Sequence, residues 1–283
     1  MNKDKNGVVK KNRLKKIREI AIIVIGVYIL LGVTAFLVQG MIIFPSPKLS
    51  DGATAVSAKI SNVEALELKM KDGKVLRGWF IKNSKSAKSN LLIYFGANGE
   101  ELSTVIPRMS KYENWSIALI NYRGYGASEG TPREKALFSD SLEIYDYFSK
   151  RDDINSSNVV VMGRSIGTGV ATYLSSKRDV TSVILVSPYD TITSVAKEKC
   201  PIYPVSLILK DKFDSLSIAP SVKVPVYILV GSKDKLIPVW HSKKLGKAWG
   251  GKVKLEEIAG VGHNSIDDGD DYWKKIYDFL NEV

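Results

Sequence analysis

Two residues of this chain sit where covalent chemistry would be placed, Ser165 and His263. Ser165 is the centre of Gly163-Arg164-Ser165-Ile166-Gly167, which follows the run Val159-Val160-Val161-Met162 and leads into Thr168-Gly169-Val170-Ala171-Thr172-Tyr173-Leu174. A buried strand that turns sharply into a helix, with serine at the corner, is a nucleophile elbow. The corner is strained, so the positions two before and two after the serine must be small, and glycine holds both. The turn lifts Oγ clear of the chain, and the helix N-terminus aims unpaired N–H groups at it.

Such a serine needs a base, an acid to orient the base, and donors for a developing oxyanion. The chain has only two histidines. His241, in Pro238-Val239-Trp240-His241-Ser242-Lys243-Lys244, falls inside an amphipathic pattern and reads as a packing or surface residue. His263, in Ala259-Gly260-Val261-Gly262-His263-Asn264, follows the last strand-like run in a glycine-rich loop. Open α/β sheets gather their chemistry at strand C-terminal ends, so His263 is the expected base. The acid should lie between nucleophile and histidine in chain order. Asp234, just past the apolar run 226–230, is preferred on that ground, with Asp190 in Ser187-Pro188-Tyr189-Asp190 as its competitor. Either aspartate could instead serve a turn or a helix cap. One oxyanion donor is the N–H of Ile166, next after the nucleophile. The second should come from Gly96-Ala97-Asn98-Gly99-Glu100, where Ala97 and Asn98 are equal candidates.

These groups require a scaffold that brings strand ends together. Strand-like runs occur at 91–95, 117–121, 159–162, 183–186, 226–230 and 253–258, several of them apolar without alternation, as in strands covered on both faces. Amphipathic helical stretches lie between or after them at 101–112, 134–150, 166–177, 240–249 and 271–280. The alternation predicts an α/β fold with a mostly parallel sheet and right-handed crossovers. Before it, Glu67-Leu68-Lys69-Met70 and 75–81 flank Lys71-Asp72-Gly73-Lys74, a hairpin signal that would form one sheet edge. Residues 189–221 are longer than a single crossover needs and read either as a short cap or as an ordinary helix on the sheet.

The chain has 283 residues, and its net charge of +11 is unevenly placed. Residues 1–19 carry +6 and the remaining 264 only +5, so the excess is a basic tail and not a nucleic-acid-binding face. Residues 20–44 follow without a single charge. As a helix these 25 residues would be roughly 37 Å long, enough to cross a hydrocarbon core with some tilt. A cleaved signal peptide is the alternative, but the charged region is long, the apolar run exceeds the usual length and no Ala-x-Ala site follows. The positive-inside rule puts residues 1–19 in the cytoplasm and residues 45–283, a single domain, on the far side. Cys200 is the only cysteine, which excludes an intrachain disulfide, and a lone cysteine is ordinarily a small buried apolar residue.

Taken together these stretches resemble the α/β-hydrolase superfamily, and more narrowly the membrane-anchored serine hydrolases related to the Bem46 proteins and several mammalian ABHD enzymes. Met41-Ile42-Ile43-Phe44-Pro45-Ser46-Pro47 after the anchor and Asn121-Tyr122-Arg123-Gly124-Tyr125-Gly126-Ala127-Ser128-Glu129-Gly130-Thr131-Pro132 carry the resemblance with the elbow, Ser187-Pro188-Tyr189-Asp190, Asp234 with Ile237-Pro238, and Gly262-His263. The family usually has His-Gly-Asn in the oxyanion loop, where this chain has Gly96-Ala97-Asn98. The resemblance implies hydrolysis of an ester, thioester or lipid acyl bond through an acyl-serine, with no metal or organic cofactor. A serine peptidase acting on short peptides would use the same residues, and a non-catalytic binding protein could keep the same fold.

Overall fold

The computed structural model describes residues 4–49, 52, 55, 58–82 and 87–283. Its centre is an eight-stranded sheet in the order β1-β2-β4-β3-β5-β6-β7-β8. The strands are β1 (Val63–Lys69), β2 (Val75–Ile81), β3 (Ser89–Phe95), β4 (Trp115–Ile120), β5 (Ile154–Arg164), β6 (Ser182–Val186), β7 (Val226–Gly231) and β8 (Val253–Ile258). Strand β2 runs antiparallel to both β1 and β4, and every other pairing is parallel. The hairpin therefore lies at one edge, as the Asp-Gly turn predicts.

Helices cover both faces because β3, β4, β6 and β7 are buried along nearly their whole length. On one face lie α3 (Glu134–Phe148), α4 (Ile166–Ser175) and α8 (Val239–Ala248), packing Leu137, Ile144, Val170, Leu174 and Leu245 against Ile93, Val161 and Ile228. On the other lie α2 (Ile106–Met109) and α9 (Asp270–Glu282), burying Met109, Ile276 and Leu280 against Leu92, Met162 and Leu229. Strand order reverses between β3 and β5: chain succession moves outward to β4 on one side and to β6 on the other. A crevice opens at the C-terminal ends of strands at such a switch point. The loop 96–100 and Ser165 both stand there.

The structure departs from the sequence reading at 101–112 and at Cys200, and it resolves the make-up of 189–221. The stretch 101–112 is not one helix but a 3₁₀ turn, Leu102–Val105, followed by the short α2. Pro107 enters at the start of α2, and Glu101 bonds Ser103 N–H at the head of the turn, so the two pieces begin separately. The interval 189–221 holds α5 (Ile192–Lys199), α6 (Val205–Ile208), α7 (Ser215–Ile218) and a closing 3₁₀ turn, Ala219–Ser221, so it is neither a single helix nor a plain crossover. A bridge between Thr191 and Asp214 ties its base, making an excursion of what projects between them. Cys200, expected to be buried, is exposed at the end of α5.

The N-terminal helix α1 (Asp4–Ile43) runs without interruption through the described part of the basic tail and the apolar segment. Lys10–Ile43 is long and apolar enough to cross a membrane and is unburied through its most apolar stretch. Its end is fixed to the domain: Phe44 is buried in the core, and Pro47 O accepts Gly126 N–H at 2.7 Å. The Tyr-Arg-Gly-Tyr-Gly segment is thus an architectural clamp. Arg123 in it makes a bidentate pair with Asp140 of α3 at 2.7 and 2.6 Å and also bonds Asp72 of the hairpin turn.

Candidate active site

Ser165 stands at the corner between β5 and α4 with φ 51° and ψ −118°, a conformation that costs an L-residue about 1–3 kcal/mol and persists only where the surroundings enforce it. Its neighbours explain why the corner needs glycines. A Cβ on Gly163 would lie 2.3 Å from Gly167 O, and one on Gly167 would lie 2.1 Å from Phe95 O at the end of β3. The elbow is therefore pressed against the strand that feeds the loop 96–100.

His263 Nε2 lies 2.9 Å from Ser165 Oγ, and His263 Nδ1 lies 2.7 Å from Asp234 Oδ2. The other carboxylate oxygen of Asp234 accepts the N–H groups of Leu236 and Ile237 at 2.9 and 2.8 Å. Burial pushes this carboxyl up, but the His263 contact and the backbone N–H of Ile237 outweigh it and hold Asp234 below the ordinary aspartate range. Serine, histidine and aspartate come from three separate strand ends, β5, β8 and β7, and form one hydrogen-bonded chain.

The rival residues pair with each other. Asp190 Oδ1 lies 2.7 Å from His241 Nδ1, and Asp190 Oδ2 accepts Lys244 Nζ at 2.6 Å. Both Asp190 and His241 are fully buried, and neither reaches Ser165 by a hydrogen bond. This pair fastens the segment after β6 to α8. Burial raises the Asp190 carboxyl, but its bonds to His241, Lys244 and Thr191 N–H bring it down to about 2. A depressed carboxyl stabilises the fold above its unfolded pKa of about 4, and that contribution is lost as pH falls from there toward 2. Asp190→Ala is expected to cost about 3 kcal/mol in chemical denaturation, because it leaves buried polar partners uncompensated. The folded fraction should keep its activity; loss of turnover without loss of stability would refute this assignment.

In the loop 96–100 the two candidate donors differ in their hydrogen bonding. Ala97 N–H is turned onto Glu100 Oε2 at 2.8 Å, whereas Asn98 N–H donates to no atom among the described residues. Of the two candidate donors, Ala97 is therefore engaged elsewhere and Asn98 is available. Asn98 O accepts Tyr125 Oη at 2.6 Å and Gly96 O accepts Tyr122 Oη at 2.8 Å, so two buried tyrosines hold the loop from behind. The missing family histidine also has a steric explanation. A Cβ at Gly96 would fall 2.7 Å from Leu102 and 3.0 Å from the Glu100 carboxylate. Glu100 fills the space that a larger side chain would need.

Glu100, Arg164 and Asp267 are site residues that the sequence reading did not assign. Glu100 bonds Tyr94 Oη at 2.9 Å as well as Ala97 N–H, and its burial raises its carboxyl pKa against the pull of Arg164. Arg164, directly before Ser165, makes a bidentate pair with Asp267 at 2.8 and 2.7 Å and approaches Glu100 at 3.7 Å. One guanidinium thus links the elbow, the loop 96–100 and the loop carrying His263. Beside it a polar cavity of about 560 Å³ is lined by Asn98, Thr104, Arg108, Arg164, His263 and Asp267, among others. Glu100→Ala is expected to lower kcat/KM by roughly 10- to 100-fold, a part of the cost of losing one oxyanion donor. Glu100→Gln should restore most of it, since an amide oxygen can still accept Ala97 N–H; equal loss in both variants would show that charge, not loop position, matters.

The comparisons with known proteins follow the same lines. The serine hydrolase family profile matches residues 146–282, which include Ser165, Asp234 and His263. The Bem46 protein of Schizosaccharomyces pombe is 30% identical over 230 residues, covering 77% of each chain. The chain belongs to the Bem46-like α/β-hydrolases. An α/β-hydrolase domain protein of Arabidopsis thaliana, WAV2, is 26% identical, with 83% of this chain and 84% of that one covered. An uncharacterised protein of Mycobacterium tuberculosis is also 26% identical over 95% of this chain and 98% of its own. Among solved structures, an esterase of Pyrococcus furiosus superposes with a TM-score of 0.66 at 17% identity over 83% of this chain and 96% of its own, a likeness of fold. The profile match over residues 146–282 supports a hydrolase function for this Bem46-like protein.

Proposed function

We propose that this Bem46-like hydrolase cleaves carboxylic esters, thioesters or lipid acyl bonds through an acyl-serine at Ser165. The observation that carries the reading is the continuous Ser165–His263–Asp234 hydrogen-bonded chain at the switch point of the sheet. His263 Nε2 takes the Oγ proton as Oγ attacks the acyl carbon, then returns it to the leaving oxygen or sulfur; water repeats the cycle in reverse to release the acid. Asp234 fixes the Nδ1–H tautomer and stabilises the imidazolium. The N–H groups of Ile166 and Asn98 receive the oxyanion.

We further propose that residues 20–44 anchor the protein in a membrane, with the basic residues 1–19 in the cytoplasm and the domain 45–283 on the opposite side. The length and exposure of Lys10–Ile43 and the charge asymmetry of its ends support this. The substrate is then a small-molecule or lipid acyl compound met near a bilayer.

The test is labelling with a fluorophosphonate probe, followed by turnover of acyl esters of increasing chain length and of aminoacyl-amides. Labelling with ester turnover far above amide turnover is expected. A folded protein that resists the probe would sink the reading, and faster amide cleavage would move it to the peptidases.

A further inference from the structure

Before Tyr28, α1 offers too little apolar length to cross a bilayer alone. Only eight uncharged residues, 20–27, precede Tyr28. They span about 12 Å against a hydrocarbon core of about 30 Å. From Tyr28 onward the helix is accompanied by the excursion after β6. Tyr28 Oη donates to Ile202 O at 2.8 Å, and its ring stacks on that of Tyr203 with centroids 4.7 Å apart. Phe36 lies beneath Lys210 Nζ at 4.1 Å. Gln39 Nε2 donates to Ile208 O at 3.1 Å, and Gln39 Oε1 accepts Lys210 N–H at 2.7 Å. Positions 28, 32, 36 and 39 form one helix face, with Gly32 giving room to the Tyr203 ring. Any stretch of α1 long enough to span therefore carries the tip of the excursion into hydrocarbon with it.

The excursion is built for that place. Residues 200–209, Cys-Pro-Ile-Tyr-Pro-Val-Ser-Leu-Ile-Leu, contain no charge and lie between Lys199 and Lys210. Ile202 is 70% exposed and Leu207 83% exposed. Flanking lysines can reach the headgroup layer while their stems stay in apolar surroundings. Irregular backbone is tolerated at membrane depth only where protein satisfies its polar groups. Here Pro201 and Pro204 have no N–H, and five of the eight N–H groups that remain, those of Cys200, Tyr203, Val205, Leu207 and Leu209, donate to nearby carbonyls. Of the three hydrogen-bonding side chains in residues 20–44, Thr34 bonds its own helix at Leu30 O. The other two, Tyr28 and Gln39, bond the carbonyls of the excursion.

Between helix and excursion lies a cavity of about 210 Å³, lined by Phe36, Ile43, Ile192, Ala196, Val205 and Leu209 among others, with no charged side chain. Its one amide, Gln39, is already bonded on both polar atoms. We propose that residues 200–209 are a second membrane-embedded element, inserted beside α1 from the hydrolase side of the bilayer, and that this cavity holds an acyl chain of a bilayer lipid. The proposal rests on α1 being a membrane anchor.

The test uses full-length protein in phosphatidylcholine vesicles, with Cys200→Ser as background and single NBD-labelled cysteines at Leu207→Cys, Val24→Cys and Lys243→Cys. The Leu207 label should be quenched by doxyl lipids and shielded from iodide, as the Val24 label is, while the Lys243 label is quenched by iodide. If iodide reaches the Leu207 label as freely as the Lys243 label while Val24 stays shielded, the embedded element is refuted and the anchor stands. If Val24 is also open to iodide, the anchor reading falls and the proposal with it. A phosphatidylcholine carrying a diazirine in its acyl chain should crosslink to α1 and α5. Ala196→Phe, which fills the cavity, should lower that yield several-fold without changing Leu207 quenching. An unchanged yield would refute the cavity as the binding place.

Discussion

Ser165→Ala is expected to lower kcat on a short acyl ester by roughly 10⁶, the scale on which a serine nucleophile is lost from a triad. The side chain removed carries the atom that forms the new bond, so no rearrangement of His263 or Asp234 can replace it. The remaining oxyanion donors and binding contacts should leave a residual acceleration over water of about 10³–10⁴. Stability should hardly move. Alanine tolerates the φ of 51° no worse than serine, and among the described residues the lost hydroxyl is paired only with a histidine that lines a pocket. Turnover is measured alongside a thermal melt. A variant that melts like the wild type yet keeps more than about a hundredth of its activity would remove Ser165 from the mechanism proposed.

How much of this was legible in the chain depended on how local each constraint is. The elbow is legible because its strain is local: Gly163 and Gly167 are excluded from carrying a Cβ by atoms only a few residues or one strand away. The sheet is legible because strands buried on both faces must be apolar throughout. The preference for Asp234 over Asp190 rests on strand order, and that for His263 over His241 on loop placement. What the sequence could not show is that the two competing residues bond each other, since that depends on α8 packing against the segment after β6. Glu100, Arg164 and Asp267 stayed hidden for the same reason. Their meaning lies in three loops meeting around one guanidinium, and nothing in their spacing of 64 and 103 residues announces it. The excursion was equally opaque, because the apolar run 200–209 reads the same whether it packs on a sheet, covers a site or leans on α1. Arg164 at the variable position of the elbow is the one available signal: an arginine at the corner between a buried strand and a helix needs carboxylate partners, and its side chain is largely covered here.

Asp234→Asn is expected to lower kcat about 10⁴-fold while leaving the fold intact, and the reason can be followed atom by atom. Asp234 Oδ1 accepts two backbone N–H groups, from Leu236 and Ile237. Asparagine must keep its carbonyl oxygen there, because an amide NH₂ facing two donors would be repelled. Its NH₂ is then directed at His263 Nδ1, which can only accept from it. The imidazole proton moves to Nε2, which now donates to Ser165 Oγ and cannot take its proton. The base is present, at the right distance, in the wrong tautomer. Because the native carboxyl is held below the ordinary aspartate range, the wild type should show no Asp234 step in its pH–rate profile above about pH 4. The variant should regain rate as pH rises, as hydroxide removes the serine proton in place of the disabled histidine. Asp190→Asn is the matched control: it should weaken the fold and leave the folded enzyme's kcat near that of the wild type. The reverse outcome, with Asp234→Asn silent and Asp190→Asn inactive while folded, would transfer the acid's role to the buried pair.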